Sequence, residues 1–425
     1  MVFVIKLLGK GIKKNNFPSK RPLSIKKDKC VEVKVGAIIV SLPLMKYYFI
    51  AGEASGDLHA QHLMEAVRQH DGQAEVRYWY RPDLAYMGFV PVAMHLPEIL
   101  RGIRECKEDI ASFAPDRLVL VDYPGFNLKI AAWFHEMHKK QGAKTIYYIP
   151  PKIWAWKEGR IAQIRKYIDQ VLSILPFEVE WYQEKYGYRV DYVGNPTLDE
   201  IDAFRQSLSD EEVAQWKENL GITNQPIVAL MPGSRRQEIE KNLPLMLRAA
   251  KAIKGMQKYV IASAPSMPRE FYEKILDEVI PRDNQDIRKR FVLAPCNGSR
   301  SSFVLLHCAK AALVTSGTAT LETAIMNVPQ VVCYAMNHGK VVSFFRRLLL
   351  KVPYVSLVNL IAGYEVVPEL VAGDMTQERL NECLRNILKD ESYIDNQLRG
   401  YALMMKRLGT PGAPINAAKR IVKNS

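Results

Sequence analysis

The chain has 425 residues, 48% of them apolar and 24% charged, a balance that suits globular domains and excludes disordered or fibrous classes. Its length allows two or three domains of ordinary size. The net charge of +14 is uneven: residues 1–44 carry ten Lys/Arg against Asp28 and Glu32, so +8 falls there and +6 is left for the rest.

That basic opening stretch has almost no aromatics and no periodic apolar face, which predicts a disordered N-terminal extension over 1–44. It lacks the ordered charged, apolar and small-residue regions of a signal peptide, so we read it as upstream sequence from a misplaced start codon, with a lipid-touching basic arm as the alternative. Nucleic acid is not an expected partner. The six cysteines form no C-x-x-C pair, which argues for a reducing compartment and against a zinc site or disulfide framework. No apolar run reaches the roughly 18 residues that a membrane span needs.

Patterned sequence is expected to begin after Met45. Lys46-Tyr47-Tyr48-Phe49-Ile50-Ala51 reads as a strand buried on both faces. The turn Gly52-Glu53-Ala54-Ser55-Gly56-Asp57 follows, then a helix with Ala60, Leu63, Met64 and Val67 on one stripe. Further strands are expected at 118–121, 145–149, 171–175 and 192–193. A polar helical stretch, 195–226, marks a boundary. Beyond it the rhythm restarts, with strands at 227–230, 259–262, 291–293, 311–314 and 331–334. Strands alternating with helices in both halves predict two parallel-sheet domains of Rossmann type, 45–200 and 201–395, with a C-terminal helix over 396–425.

The sharpest chemical signal is a pair of motifs, each at a strand-to-helix junction: Pro232-Gly233-Ser234-Arg235 and Ser316-Gly317-Thr318-Ala319-Thr320-Leu321-Glu322. Taken singly, each is more often a turn or a helix cap. Together they favour a nucleotide-diphosphate site. Small residues let phosphate approach the backbone, helix N-termini offer free N–H groups, and Arg235 adds a bidentate contact. Glu322, about one turn beyond Gly317, can accept both ribose hydroxyls. No G-x-x-x-x-G-K-[ST] or G-x-G-x-x-G pattern occurs, which argues against nucleoside triphosphate hydrolysis and dinucleotide redox chemistry.

In the first half, Glu53, Ser55 and Asp57 line a turn able to face a ligand. Asp122 ends a buried strand before a Pro-Gly turn, so it points to a cleft or serves as an Asx-turn residue. Trp154 and Trp156 share a face if the chain is extended there, to stack on a sugar or to fill the core. His59/His62 and His135/His138 lie at i, i+3 on helices, but without a third ligand they read as surface or interface histidines, and no metal is assigned. Residues 340–351 mix cations with Phe344, Phe345, Leu348, Leu349 and Leu350. Their apolar face exceeds one stripe, and with Arg346 and Arg347 it suits the surface of an anionic bilayer; a buried core helix is the alternative.

These residues resemble the lipid-A-disaccharide synthase family. The matching blocks are Ala51-Gly52-Glu53-Ala54-Ser55-Gly56-Asp57, Val121-Asp122-Tyr123-Pro124-Gly125-Phe126-Asn127-Leu128, Ile153-Trp154-Ala155-Trp156, Leu175-Pro176-Phe177-Glu178, the two junction motifs, and Tyr354-Val355-Ser356-Leu357 with Asn359. The resemblance implies a GT-B arrangement, two Rossmann-like domains facing across a cleft, the first for acceptor and the second for donor. It implies transfer from UDP-2,3-diacylglucosamine to 2,3-diacylglucosamine 1-phosphate, with release of UDP, at the cytoplasmic face of the inner membrane as a peripheral protein. No cofactor or metal is implied, and a homodimer is left open. By analogy Asp122 is the base, and Glu53, Ser55, Asp57, Trp154, Trp156 and Asn359 belong to the acceptor cleft.

Two departures stand out. Where the family usually has a Gly-Gly loop after Tyr80, Arg81-Pro82-Asp83 runs straight across, and Pro150 replaces a usual Ser. The rival readings are a UDP-sugar 2-epimerase, which needs no apolar-basic segment, and a non-catalytic nucleotide-sugar or lipid binder.

Overall fold

In a computed structural model of the chain, the described residues are 30–35, 38–52, 54–81, 83, 95–138, 142–295, 298–335 and 353–423. The chain divides into two units, Met1–Leu44 and Met45–Ser425. The described part of the first is an antiparallel hairpin of β1 (Cys30–Val35) and β2 (Ile38–Pro43). Regular structure therefore starts ahead of Met45, in a stretch expected to lack it. Val31, Val33 and Val35 recur at period two, a strand signal overshadowed by the count of lysines.

The second unit holds two six-stranded sheets, parallel throughout. The first contains β3 (Lys46–Ala51), β4 (Glu75–Tyr80), β5 (Arg117–Val121), β6 (Lys144–Tyr148), β7 (Gln170–Ser173) and β8 (Asp191–Tyr192), in the order β4-β3-β5-β6-β7-β8. The second contains β9 (Ile227–Met231), β10 (Lys258–Ile261), β11 (Phe291–Leu293), β12 (Ala309–Thr315), β13 (Gln330–Tyr334) and β14 (Glu369–Val371), in the order β11-β10-β9-β12-β13-β14. The central strands β5 and β9 are buried along their whole length, as apolar runs flanked by helices require. The helix Ala54–His70 buries Ala60, Leu63, Met64 and Val67 against the first sheet, as their spacing predicts.

Two strands were not legible in advance. β4 is half-exposed over most of its length at the sheet edge, and β14 has three residues, too few for a periodic signal.

The chain passes between the sheets twice. The helix Pro196–Ser207 already packs in the second half, with the Phe204 ring 5.4 Å from that of Phe303 and Arg205 donating to Ile325 O (2.7 Å). The first crossing thus lies before Pro196, earlier than the expected boundary at 200/201. The tail is two helices rather than one: Glu391–Leu408 buries Tyr401, Met404 and Leu408 in the second half, whereas Ala413–Lys423 returns to the first sheet through Ala417, Ala418 and Ile421. The crossings touch. Gly194 has φ +100°, and a Cβ there would stand 3.3 Å from Ala413 Cα. Asp199 accepts the N–H groups of Gly412 (2.6 Å) and Ala413 (3.2 Å), which caps the returning helix.

Candidate active site

The second sheet reverses its strand order between β9 and β12, the place where open α/β sheets form a ligand crevice. Both junction motifs leave the sheet there. β9 and β12 are parallel neighbours, with Met231 beside Val314, so the turns of Gly233 and Gly317 emerge side by side at the carboxyl edge. A Cβ on Gly233 would lie 3.5 Å from Thr315 Cγ2, which shows how close the turns are.

Gly233 is irreplaceable on two counts. Its φ is +115°, and a Cβ would meet Glu238 at 2.8 and 2.9 Å. Glu238 is held there by its work as a cap: its carboxylate accepts from Ser234 N (3.3 Å), Arg235 N (3.4 Å) and Arg235 Nη1 (2.9 Å). The amides of Ser234 and Arg235, just ahead of the helix Arg236–Ala252, thus face a carboxylate of their own chain, while the Arg235 guanidinium on that side is exposed. Gly317 differs. No side chain caps the helix Thr318–Ile325, and a Cβ on Gly317 would meet nothing within 4 Å among the described residues. The open helix end is at Gly317, with the cation at Arg235. A cavity of about 770 Å³ on the Arg235 side is lined by Arg235, Arg236, Gln237, Glu238, Lys241, Tyr334 and Ala335, and its volume is large enough for a nucleotide.

The other residues of the second motif divide by role. Ser316 donates its hydroxyl to Val355 O (3.1 Å), tying the turn to the 353–357 segment. Thr320 is buried and donates to Gly317 O (2.8 Å), so it shapes the turn rather than reaching into the crevice. Thr318 is exposed and Ala319 partly buried in the first turn, and Thr318 bonds the Glu322 carboxyl. Burial, aided by the negative charge of Glu200, pushes Glu322 up to about 7, and Thr318 partly offsets this.

The first sheet reverses between β3 and β5, and Asp122 leaves β5 at that point. Asp122 and Tyr123 both have left-handed backbone, φ +46° and +48°, and Ile149 at the end of neighbouring β6 has φ +60°. Such angles cost a non-glycine residue on the order of 1–3 kcal/mol and persist only where surroundings enforce them. Here Asn127 Nδ2 (2.7 Å) and the Tyr147 hydroxyl (2.6 Å) both donate to the Asp122 carbonyl. Gly52 accommodates the Tyr123 ring, which a Cβ would meet at 2.3 Å. The first turn of the helix Ala54–His70 abuts the aspartate: a Cβ on Gly56 would stand 4.0 Å from Asp122 Cβ. Burial raises the Asp122 carboxyl above its ordinary value, against the pull of Lys152.

Other expected cleft residues take different places. Asp57 accepts from Tyr78 (2.6 Å) and Gln61 (2.9 Å), joining its helix to β4. Trp154 and Trp156 do not share a face. Residues 152–156 turn, with Ala155 N and Trp156 N both donating to Lys152 O, so period-two reasoning fails. Trp154 is buried, its Nε1 on Glu178 (2.7 Å), whereas Trp156 is 60% exposed. Asn359, in the helix Leu357–Ala362, is wholly engaged, accepting from Val366 N and Val367 N and donating to Val367 O and Glu369, so it has no capacity left for acceptor. Glu53 and the segment with Phe344, Phe345, Arg346, Arg347, Leu348 and Leu349 lie outside the described residues, as does the Ser55 side chain. At the shortened loop, Arg81 pairs with Asp83 and Glu105.

His59 sits against Glu200 (3.9 Å), and burial lowers it to about 4. No group of three potential metal ligands occurs among the described residues. Sequence reasoning passed over Asn127, Tyr147 and Glu238. Asn127 and Glu238 stood inside or just past the quoted motifs, and their chemistry was readable only as caps.

The model of a family described as lipid-A-disaccharide synthetase matches residues 47–408. The chain is 34% identical over 406 residues to a lipid-A-disaccharide synthase of Myxococcus xanthus, covering 88% of this chain and 96% of that one. It is 33% identical over 392 residues to one of Nitrosococcus oceani, covering 87% and 93%.

The chain belongs to the lipid-A-disaccharide synthase family.

As a lipid-A-disaccharide synthase family member it is an enzyme, a glycosyltransferase of GT-B architecture. Its two sheets resemble solved structures at low identity: the UDP co-structure of MnaA from S. aureus (TM-score 0.59, 12% identity, 89% and 95% of the two chains). A second is a UDP-GlcNAc 2-epimerase from Neisseria meningitidis bound to UDP-GlcNAc (0.58, 11%, 89% and 99%). A glycosyltransferase from Rickettsia africae follows (0.53, 12%, 90% and 100%). These likenesses establish the fold of this family member, two Rossmann-like regions facing across a cleft. No helix among its described residues is long and apolar enough to cross a membrane.

Proposed function

We propose that the enzyme condenses UDP-2,3-diacylglucosamine with 2,3-diacylglucosamine 1-phosphate, giving the β-1,6-linked disaccharide 1-phosphate and UDP. The observation that carries this is the side-by-side emergence of the Gly233 and Gly317 turns at the switch point, one bearing the exposed Arg235 and the other an uncapped helix end. There the diphosphate is neutralised, so UDP leaves without a general acid. Asp122 takes the proton of the acceptor 6-hydroxyl; O6 attacks the donor C1 opposite the diphosphate, and the C1–O bond breaks with its electrons on UDP. One displacement inverts the anomeric centre. Base catalysis of this kind contributes about 10²–10⁴-fold. Glu322 accepts ribose hydroxyls. The composition of residues 340–351, together with acylated substrates, supports work at the inner-membrane surface as a peripheral protein.

The test is UDP release by purified protein. We expect release only when both acylated substrates are present. Epimerisation of UDP-N-acetylglucosamine without any acceptor would instead support the 2-epimerase reading that the structural neighbours suggest.

A further inference from the structure

The loop that leaves β6 starts at the same sheet edge as Asp122, because β5 and β6 are parallel neighbours. It carries Lys152, Trp156, Lys157 and Arg160. Trp156 exposes 60% of its surface, with Lys157 Nζ 4.3 Å and Arg160 Cζ 6.0 Å from its ring centroid. The carboxylate of this loop, Glu158, is engaged by the Tyr186 hydroxyl and by Lys185 Nζ (2.5 Å). No carboxylate forms an ion pair with Lys152, Lys157 or Arg160 among the described residues. Lys152 is close enough to act on both Asp122 and buried Glu178. Lys157 is held at φ +52°, a left-handed backbone that a lysine adopts only under constraint.

An exposed indole flanked by cations, next to the residue that activates a sugar hydroxyl, is chemistry for a phosphorylated sugar. The ring stacks on the pyranose and the cations take the phosphate. We propose that this loop is the acceptor's phosphomonoester site, with Lys152, Lys157 and Arg160 as the phosphate ligands and Trp156 as the stacking surface. The proposal rests on the functional reading above and deepens it: selection of a 1-phosphorylated acceptor is assigned to these four residues. A bilayer of anionic lipid offers similar headgroup chemistry, so the experiment separates the two sources.

The experiment compares the parent with Lys157→Gln and Arg160→Gln. Equilibrium binding of 2,3-diacylglucosamine 1-phosphate and of its dephosphorylated form is measured in detergent with UDP present. Binding to phosphatidylglycerol vesicles and to UDP alone is measured in parallel. The parent should prefer the phosphorylated lipid, and each variant should reduce that preference about 10- to 100-fold with UDP affinity unchanged. Lys157 is exposed, so its variant reports even if Arg160→Gln folds poorly. Preference intact in Lys157→Gln, or absent in the parent, overturns the proposal. So does a variant that loses vesicle binding yet keeps its preference, which would make the loop a headgroup site. A parent that prefers the phosphorylated lipid but releases no UDP with both substrates contradicts the transfer reaction and leaves this site standing.

Discussion

Glu178 is 1% exposed, and its carboxyl accepts from the Ser173 hydroxyl and Trp154 Nε1. Burial outweighs those bonds and lifts it to about 7. A folded value above the unfolded one means that the native state binds the extra proton between roughly pH 4.5 and 7. The resulting stability is full below that window and is lost as pH rises through it, on the order of 3 kcal/mol. Glu322 acts in the same direction. Glu178→Gln keeps an acceptor for Trp154 but cannot ionise. Urea melts at pH 5 and pH 8 should show a smaller loss of stability on raising pH than in the parent, and equal losses would refute the account. The position of Asp122 at the end of a buried strand was readable at this scale, but the choice between a cleft role and an Asx turn was not. The core use of Trp154 was among the readings open to the sequence; its bond to Glu178 and the engagement of Asn359 by Val366, Val367 and Glu369 were not, because spacing does not reveal such partners.

At the scale of elements, the strand-end turns do most of the positioning. The Asp122 turn is fixed from two sides, by Asn127 on the following helix and by Tyr147 on β6. Tyr147→Phe removes one donor without changing shape. We expect the turnover rate to fall about tenfold, as a misdirected carboxylate loses alignment, while UDP affinity and the melting transition change little. Parental turnover would show that the left-handed turn holds without that bond. Most strands and the helix Ala54–His70 were legible, since apolar runs between glycine turns have one reading in an α/β chain. The failures have separate local causes. The 152–156 segment turns where extension was assumed, β4 is half-exposed, and β14 is too short to show a period.

For the whole molecule, the second sheet's strand order puts both glycine turns at one reversal, and the first sheet's order puts Asp122 at another. The repeated strand-helix rhythm announced two such sheets. It could not announce that the helix Pro196–Ser207 joins the second half or that Ala413–Lys423 returns to the first, because an amphipathic helix does not declare which sheet it covers. The returning helix is secured by Asp199 and by the close approach of Gly194 to Ala413. The proposed function divides the labour, with donor assigned to one half and base to the other. Its most direct test is UDP release by Asp122→Asn with both acylated substrates, with calorimetric titration of UDP as the control. The account predicts a loss of at least about 10²-fold in rate with parental UDP affinity. Release at the parental rate would contradict it.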